Sequence, residues 1–104
     1  MKISAGAIRV LEFERIAEGF QTLGEPARLR ILQALTADCR SVSDIVVQVG
    51  LPQPLVSHHL RILRDRGFAR AERRGAFTFY GLVNPAIWQI VSEFAAWMRS
   101  SDKS

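Results

Sequence analysis

The side chains best suited to molecular recognition are clustered in the middle of the chain. Gln53, Ser57 and His58 can each donate and accept hydrogen bonds, and Arg61 carries five donors. At 100° per residue of an α-helix, His58 and Arg61 fall on one side, with Ser57 and Leu55 beside them. The opposite side is apolar: Val56, Leu60 and Leu63. Such a helix would pack its apolar side inward and present groups that match the edges of DNA bases, with Leu55 available to a thymine methyl. An ordinary solvated helix face has a similar composition.

Positive charge is concentrated in the same region. Residues 53–74 contain six arginines and two acids, which accounts for the whole formal net charge of +4. A basic segment on an otherwise balanced chain is typical of a surface that binds a polyanion such as DNA, although a solvated charged face would look the same. We expect Arg73 and Arg74, which stand beside Gly75 in a predicted turn, to contact DNA phosphates.

Hydrophobic periodicity and capping residues predict five helices and one β-hairpin. Ser41, three residues before Asp44, is a candidate helix cap, and Gly67 is a candidate left-handed stop. The predicted helices cover residues 8–23, 26–36, 42–49, 54–66 and 85–99, the predicted strands cover 68–72 and 77–83, and a frayed tail covers 100–104. We therefore expect one mainly α-helical domain with a small β-hairpin over residues 1–104.

The order of the elements favours one fold. The third and fourth predicted helices are separated by the turn Gly50-Leu51-Pro52-Gln53, and a basic hairpin follows. This is the order of a winged helix-turn-helix, in which the second helix of the pair enters the major groove of DNA.

The last predicted helix is apolar on almost all of its sides. A terminal helix on a domain of 104 residues cannot bury every face in its own core. The surplus apolar surface around Trp88, Phe94 and Trp97 therefore predicts a second protomer.

Three short segments resemble those of a known family. They are Gly24-Glu25-Pro26-Ala27-Arg28, Ser57-His58-His59-Leu60 and the hairpin end Phe79-Tyr80-Gly81-Leu82, and they resemble the ArsR-type (ArsR/SmtB) bacterial repressors over about residues 13–83. The resemblance implies a dimeric winged helix protein that binds operator DNA and usually leaves it when an effector binds. It also implies that the first and last helices form the dimer interface. The interface residues that we expect are Phe13, Trp88, Val91, Phe94 and Trp97.

The chain departs from the family at the positions where many members bind metals. Ser41-Val42-Ser43 stands where one family site has Cys-Val-Cys, and hydroxyls are poor ligands for soft metals. A second family site uses Asp and His on the last helix, whereas residues 85–99 contain Glu93 but no Asp or His. We therefore expect no metal site and no cofactor, and the effector stays unidentified. Cys39 is either a small buried apolar residue or a sensor of oxidants or electrophiles.

Three classes of function can be compared. The first is a sequence-specific DNA-binding transcriptional regulator, a repressor that binds an inverted-repeat operator as a homodimer. The second is a winged helix used as a protein-interaction module, which would leave the basic segment unexplained. The third, an enzyme, is not favoured, because the sequence has no glycine-rich phosphate loop, no metal-ligand set and no nucleophile with a plausible base. Short apolar runs and a single cysteine favour a cytoplasmic protein without a membrane span.

Overall fold

The computed structural model describes residues 7–102. A 3₁₀ turn, Val10–Glu12, precedes five helices and three strands. The helices are α1 (Phe13–Leu23), α2 (Pro26–Ala34), α3 (Val42–Val49), α4 (Gln53–Asp65) and α5 (Ala86–Asp102), and the strands are β1 (Arg40–Ser41), β2 (Ala69–Arg74) and β3 (Phe77–Leu82). The expected mainly α-helical fold with a small hairpin is therefore confirmed. No helix in the described part of the chain is long and apolar enough to cross a membrane.

The core is built where α2, α3 and α4 meet the start of β2. Its buried apolar residues are Ile31, Leu32, Ala34, Leu35, Ile45, Val49, Val56, Leu60, Leu63 and Ala69. Neither α1 nor α5 contributes a buried apolar side chain to this cluster. The two flanking helices thus lie against the core and keep much of their apolar surface exposed.

Local signals set the ends of the two helices in the centre of the fold. The hydroxyl of Ser41 accepts a hydrogen bond from the backbone N–H of Asp44 at 3.2 Å, which satisfies one donor at the start of α3. Gly50 ends α3 with a φ of 69°, and Gly67 follows α4 with a φ of 84°. Residues other than glycine rarely adopt these left-handed backbone conformations. The glycine at each position therefore determines locally where the helix ends.

The three strands form an antiparallel sheet in the order β1-β3-β2. Arg74 pairs with Phe77, so only Gly75 and Ala76 form the turn, and Gly75 has a φ of 62°. This turn is two residues shorter than the predicted one, because β2 continues through Arg73 and Arg74. The strand β1, which the sequence analysis missed, pairs Arg40 with Tyr80. A strand of two residues is too short to show an alternating pattern.

Several predicted helix ends differ from the observed ones. The α-helical part of α1 begins at Phe13, after the 3₁₀ turn, and α2 ends at Ala34, where Arg40 Nε donates to the Ala34 carbonyl at 2.7 Å. The frayed tail predicted for 100–104 is wrong for residues 100–102, which continue α5. Extending an existing helix is easy because each added residue brings one backbone hydrogen bond. Residues 103 and 104 lie outside the described part of the chain.

Candidate nucleic-acid interface

The short turn between α3 and α4 sets the direction in which α4 leaves the core. Pro54 occupies the first turn of α4, where its missing N–H costs no hydrogen bond. The inner side of α4 buries the three residues predicted for it: Val56, Leu60 and Leu63. Gln53, Leu55, His58 and Arg61 are exposed and Ser57 is half-buried, so the outward side carries the predicted recognition residues.

Arg61 differs from the other arginines of the basic segment. Across the described residues, 7–102, it has no hydrogen bond or ion pair within the protein. The other five each have a partner: Arg64 pairs with Asp65, Arg66 with Glu18 and Thr22, Arg70 and Arg74 with Glu72, and Arg73 with the Gly75 carbonyl. Arg61 therefore carries an uncompensated charge on the exposed side of α4.

The hairpin formed by β2 and β3, called the wing below, separates two arginines that the sequence analysis treated as a pair. Successive residues of a strand point to opposite faces of the sheet. Arg74 shares one face with Glu72 and lies over the ring of Phe79, with its guanidinium carbon 4.7 Å from the ring centre. Arg73 lies on the other face, where its Nε donates to the Gly75 carbonyl at 3.1 Å. The tip of the wing thus presents one arginine on each face.

Glu72 holds two arginines of the wing. Its Oε1 accepts a hydrogen bond from Nη2 of Arg74 at 3.2 Å and lies 3.8 Å from Nη1 of Arg70. The hydrogen bond from Arg74, helped by the positive charges of both arginines, lowers the pKa of the Glu72 carboxyl. Glu72 therefore stays ionised near neutral pH and offsets part of the positive charge of the wing.

The inner side of α4 also contains one polar residue that the sequence analysis did not single out. His59 is only 6% exposed, and its Nδ1 lies 3.3 Å from Nη1 of Arg28 in the first half of α2. Burial lowers the pKa of His59, the nearby charges of Arg28 and His58 lower it further, and the Glu25 carboxylate opposes them. The sequence could have predicted this burial. Adjacent helical residues point about 100° apart, so if His58 is on the exposed side, His59 lies closer to the core.

The expected interface residues on α1 and α5 fall into two groups. Phe13, Phe94 and Trp97 are exposed, and the rings of Phe94 and Trp97 stack with their centres 5.8 Å apart. Trp88 and Val91 are half-buried, and Trp88 packs against the core of its own chain. An apolar groove of about 380 Å³ lies between the two helices, lined by Phe20, Leu23, Gly24, Leu29, Ile90, Val91 and Phe94.

The residues discussed for metal or redox sensing lie near the first strand. Ser41 is occupied as the cap of α3, and residues 7–102 contain no group of three or more His, Cys, Asp or Glu side chains arranged to hold a metal ion. Cys39 is half-buried, and its Sγ lies 2.9 Å from the point that a Cβ on Gly81 would occupy, beside the Arg70 guanidinium. Gly81 thus makes room for the thiol and the guanidinium.

A pair of helices joined by a glycine turn, with an exposed polar side on the second helix and a basic hairpin after it, defines a DNA-binding winged helix-turn-helix protein. The family model described as "Bacterial regulatory protein, arsR family" matches residues 25–71. The chain belongs to this family of transcriptional regulators, which are not enzymes.

Individual relatives agree with this assignment. A transcriptional regulator of the helix-turn-helix type from Methanocaldococcus jannaschii is 36% identical over 81 residues, which cover 77% of this chain and 91% of the relative. The transcriptional repressor SmtB homolog of Synechocystis is 32% identical over 86% of this chain and 67% of its own length. The crystal structure of Mycobacterium tuberculosis Rv0081 superposes with a TM-score of 0.80 at 32% identity, over 93% of this chain and all of that one.

Proposed function

We propose that this regulator is a repressor that binds an inverted-repeat operator as a homodimer. The observation that carries the DNA-reading part is Arg61: it projects from the exposed side of α4 and has no partner among the described residues. An arginine in this position can form two hydrogen bonds with a guanine edge or neutralise a phosphate. Gln53, Ser57 and His58 are the further residues proposed to contact base edges, and Leu55 is proposed to contact a thymine methyl.

In this proposal, the wing supplies the contacts with DNA that do not depend on the base sequence. Arg73 and Arg74 flank the tip of the hairpin from its two faces, where one or both can reach the phosphates beside the groove. Because phosphate contacts position a protein without reading bases, these residues are proposed to set the register of α4 on the duplex.

The proposal of a homodimer rests on the flanking helices. Phe94 is 59% exposed and Trp97 is 63% exposed, on a helix that contributes no buried residue to the core. Burying an apolar surface of this kind favours association, and a two-fold dimer carries two copies of α4 for two half-sites. The Synechocystis relative is named a transcriptional repressor, which supports repression for this chain, and binding to an operator that overlaps a promoter would produce it. The DNA partner implies that the protein acts in the cytoplasm.

Selection of bound sequences from a random DNA library tests this proposal. We expect the purified protein to enrich an inverted repeat whose half-sites lie about 34–36 Å apart, one turn of the double helix. Enrichment of a single unrepeated site would contradict the dimeric mode of reading. A chain that dimerises but retains no DNA at low salt would contradict the proposal and favour the protein-interaction module instead.

A further inference from the structure

The contact between Arg28 and His59 joins three helices at the rear of α4. Arg28 Nε donates to the Thr22 carbonyl at 2.6 Å and Nη2 donates to the Gln21 carbonyl at 3.5 Å, so its guanidinium is held by the last turn of α1. Nη1 of the same guanidinium lies 3.3 Å from Nδ1 of His59. Arg28 thus connects the end of α1, its own helix α2 and the middle of α4.

This contact is directional, unlike the rest of the inner side of α4. Four residues of α4 are buried, of which three are aliphatic and His59 is the exception. Apolar packing is non-directional, whereas a hydrogen bond also fixes one atom of the helix relative to its partner. Because His58 immediately precedes His59, and Ser57 precedes that, the position of the His59 ring sets the orientation of the proposed reading residues.

The chemistry of the two groups determines which form of His59 makes the contact. A guanidinium has donors and no acceptor, so Nδ1 of His59 must accept and must carry no proton. Protonation would remove the acceptor and place a second positive charge beside Arg28. The other titratable groups that act electrostatically on the ring are the carboxylate of Glu25 at the start of α2 and His58 on α4 itself. Arg28 also lines a pocket of about 350 Å³ with Asp65 and Arg66.

We infer that Arg28 and His59 are positioning residues for the reading helix, and that sequence-specific DNA binding requires the neutral His59 imidazole. The inference rests on the proposed function, because it concerns the operator complex. Burial lowers the pKa of His59, so the neutral form prevails at neutral pH and the contact is intact there. As the pH falls through this pKa the contact is lost, and each protomer must release one proton to bind the operator.

The expected size of the effect follows from this linkage. Below the pKa of His59, operator affinity should fall about tenfold per pH unit for each protomer that must release a proton. Binding to random DNA should not fall, because the added charge does not repel phosphate. The ratio of operator affinity to random-DNA affinity is therefore the quantity to measure.

The experiment uses the fact that the chain has only two histidines. The reference is the unmodified protein, and every variant keeps His58, which is proposed to contact a base, so a difference in pH dependence between them is due to His59. The first variant carries His59→Asn, which keeps an acceptor at the δ position but cannot titrate. The second carries His59→Leu, which removes the acceptor. Affinities for the selected operator and for a random duplex are measured from pH 7.5 down to a pH below the His59 pKa, which magnetic resonance titration of the reference supplies, at one salt concentration and with circular dichroism as a check on folding.

We expect the reference to lose operator affinity relative to random DNA as the pH falls below the His59 pKa, the asparagine variant to lose less, and the leucine variant to bind the operator weakly at every pH. Equal loss in the reference and the asparagine variant would overturn the inference, as would a reference without pH dependence. Absence of operator binding by the unmodified protein at pH 7.5 would instead contradict the proposed function itself.

A measurement on folded reference protein covers the case in which the variants unfold. Magnetic resonance titration of the His59 ring should give a lower pKa in the operator complex than in the free protein, because the complex is expected to favour the neutral form. A pKa that rises on operator binding would overturn the inference. In the free protein, Arg28→Gln should raise the pKa of His59, and an unchanged value would also overturn it.

Discussion

Glu72 accepts a hydrogen bond from Arg74 at 3.2 Å on one face of the wing, three residues before the turn residue Gly75. The carboxylate is exposed and also lies near Arg70. In the free protein, Glu72 therefore contacts two guanidinium groups that could otherwise bind DNA phosphates. Binding of a phosphate by Arg74 must compete with this carboxylate.

Glu72→Gln should accordingly increase DNA affinity, on operator and random duplexes alike, because it frees both arginines and removes a repulsive charge. The increase should be larger at low salt, where screening is weak. Glu93→Gln removes the same charge on α5 and serves as the control. Equal increases in the two variants, measured by fluorescence anisotropy, would mean that only net charge matters and not the contact with Arg74.

The two arginines at the tip of the wing, Arg73 and Arg74, should contribute unequally to the salt dependence of DNA affinity. Within residues 7–102, Arg73 has no carboxylate contact, whereas Arg74 is partly neutralised by Glu72. In a dimer, Arg73→Ala should flatten the slope of log K against log salt by about 1–2, and Arg74→Ala by less. In the Glu72→Gln background the effect of Arg74→Ala should increase. If Arg74→Ala changes the slope by the same amount in the wild type and in the Glu72→Gln background, the role of Glu72 is contradicted.

Specificity should depend on the exposed side of α4. Loss of a good base contact costs about 1–3 kcal/mol per half-site, so Arg61→Ala or Ser57→Ala should weaken operator binding more than random-DNA binding. Arg64→Ala removes the same charge three residues farther along the helix, where Arg64 already pairs with Asp65, and is the matched control. If Arg61→Ala weakens both duplexes equally, Arg61 contacts a phosphate and not a base.

Dimerisation should depend on the exposed aromatic residues of α5. Phe94→Asp or Trp97→Asp would place a charge in an apolar interface, which is strongly unfavourable unless the charge is paired. We expect these variants to sediment as monomers at micromolar concentration and to lose operator affinity, while α4 and the wing stay intact. Ser92 is exposed and lies on the opposite side of the same helix, so the control variant Ser92→Asp should stay dimeric. A wild-type monomer in the same experiment would refute the proposed dimer.

Metal ions should not release this protein from its operator. The hydroxyl of Ser41 is engaged in capping α3, a contribution of about 1 kcal/mol, and hydroxyls bind Zn²⁺ or arsenite far more weakly than thiolates do. Gel-shift titration with stoichiometric Zn²⁺ or arsenite should leave the complex intact. If either one, or peroxide, releases DNA from the wild type but not from Cys39→Ser, the thiol beside Arg70 is the sensor.

The sequence predicted most of the local structure because its signals act over a few residues. Ser41 caps a helix through an N–H three residues away, and Gly50 and Gly67 end helices through their own φ angles. The repeat of Val56, Leu60 and Leu63 identified the buried side of α4, and hence its exposed side, before any tertiary contact was known. The short ArsR-like segments likewise indicated the family whose model matches residues 25–71.

Only the tertiary structure determined which side chains from distant parts of the chain contact each other. Arg28 and His59 are 31 residues apart, and no periodic pattern relates them. Strand β1 pairs with a strand that follows it by more than 30 residues, and its two residues are too few to predict. Arg73 and Arg74 lie on opposite faces of the wing because both belong to β2. This became clear only from the observed extent and register of the hairpin. Neighbouring residues determine local backbone conformation, whereas these contacts form only when packing of the core brings separate elements together.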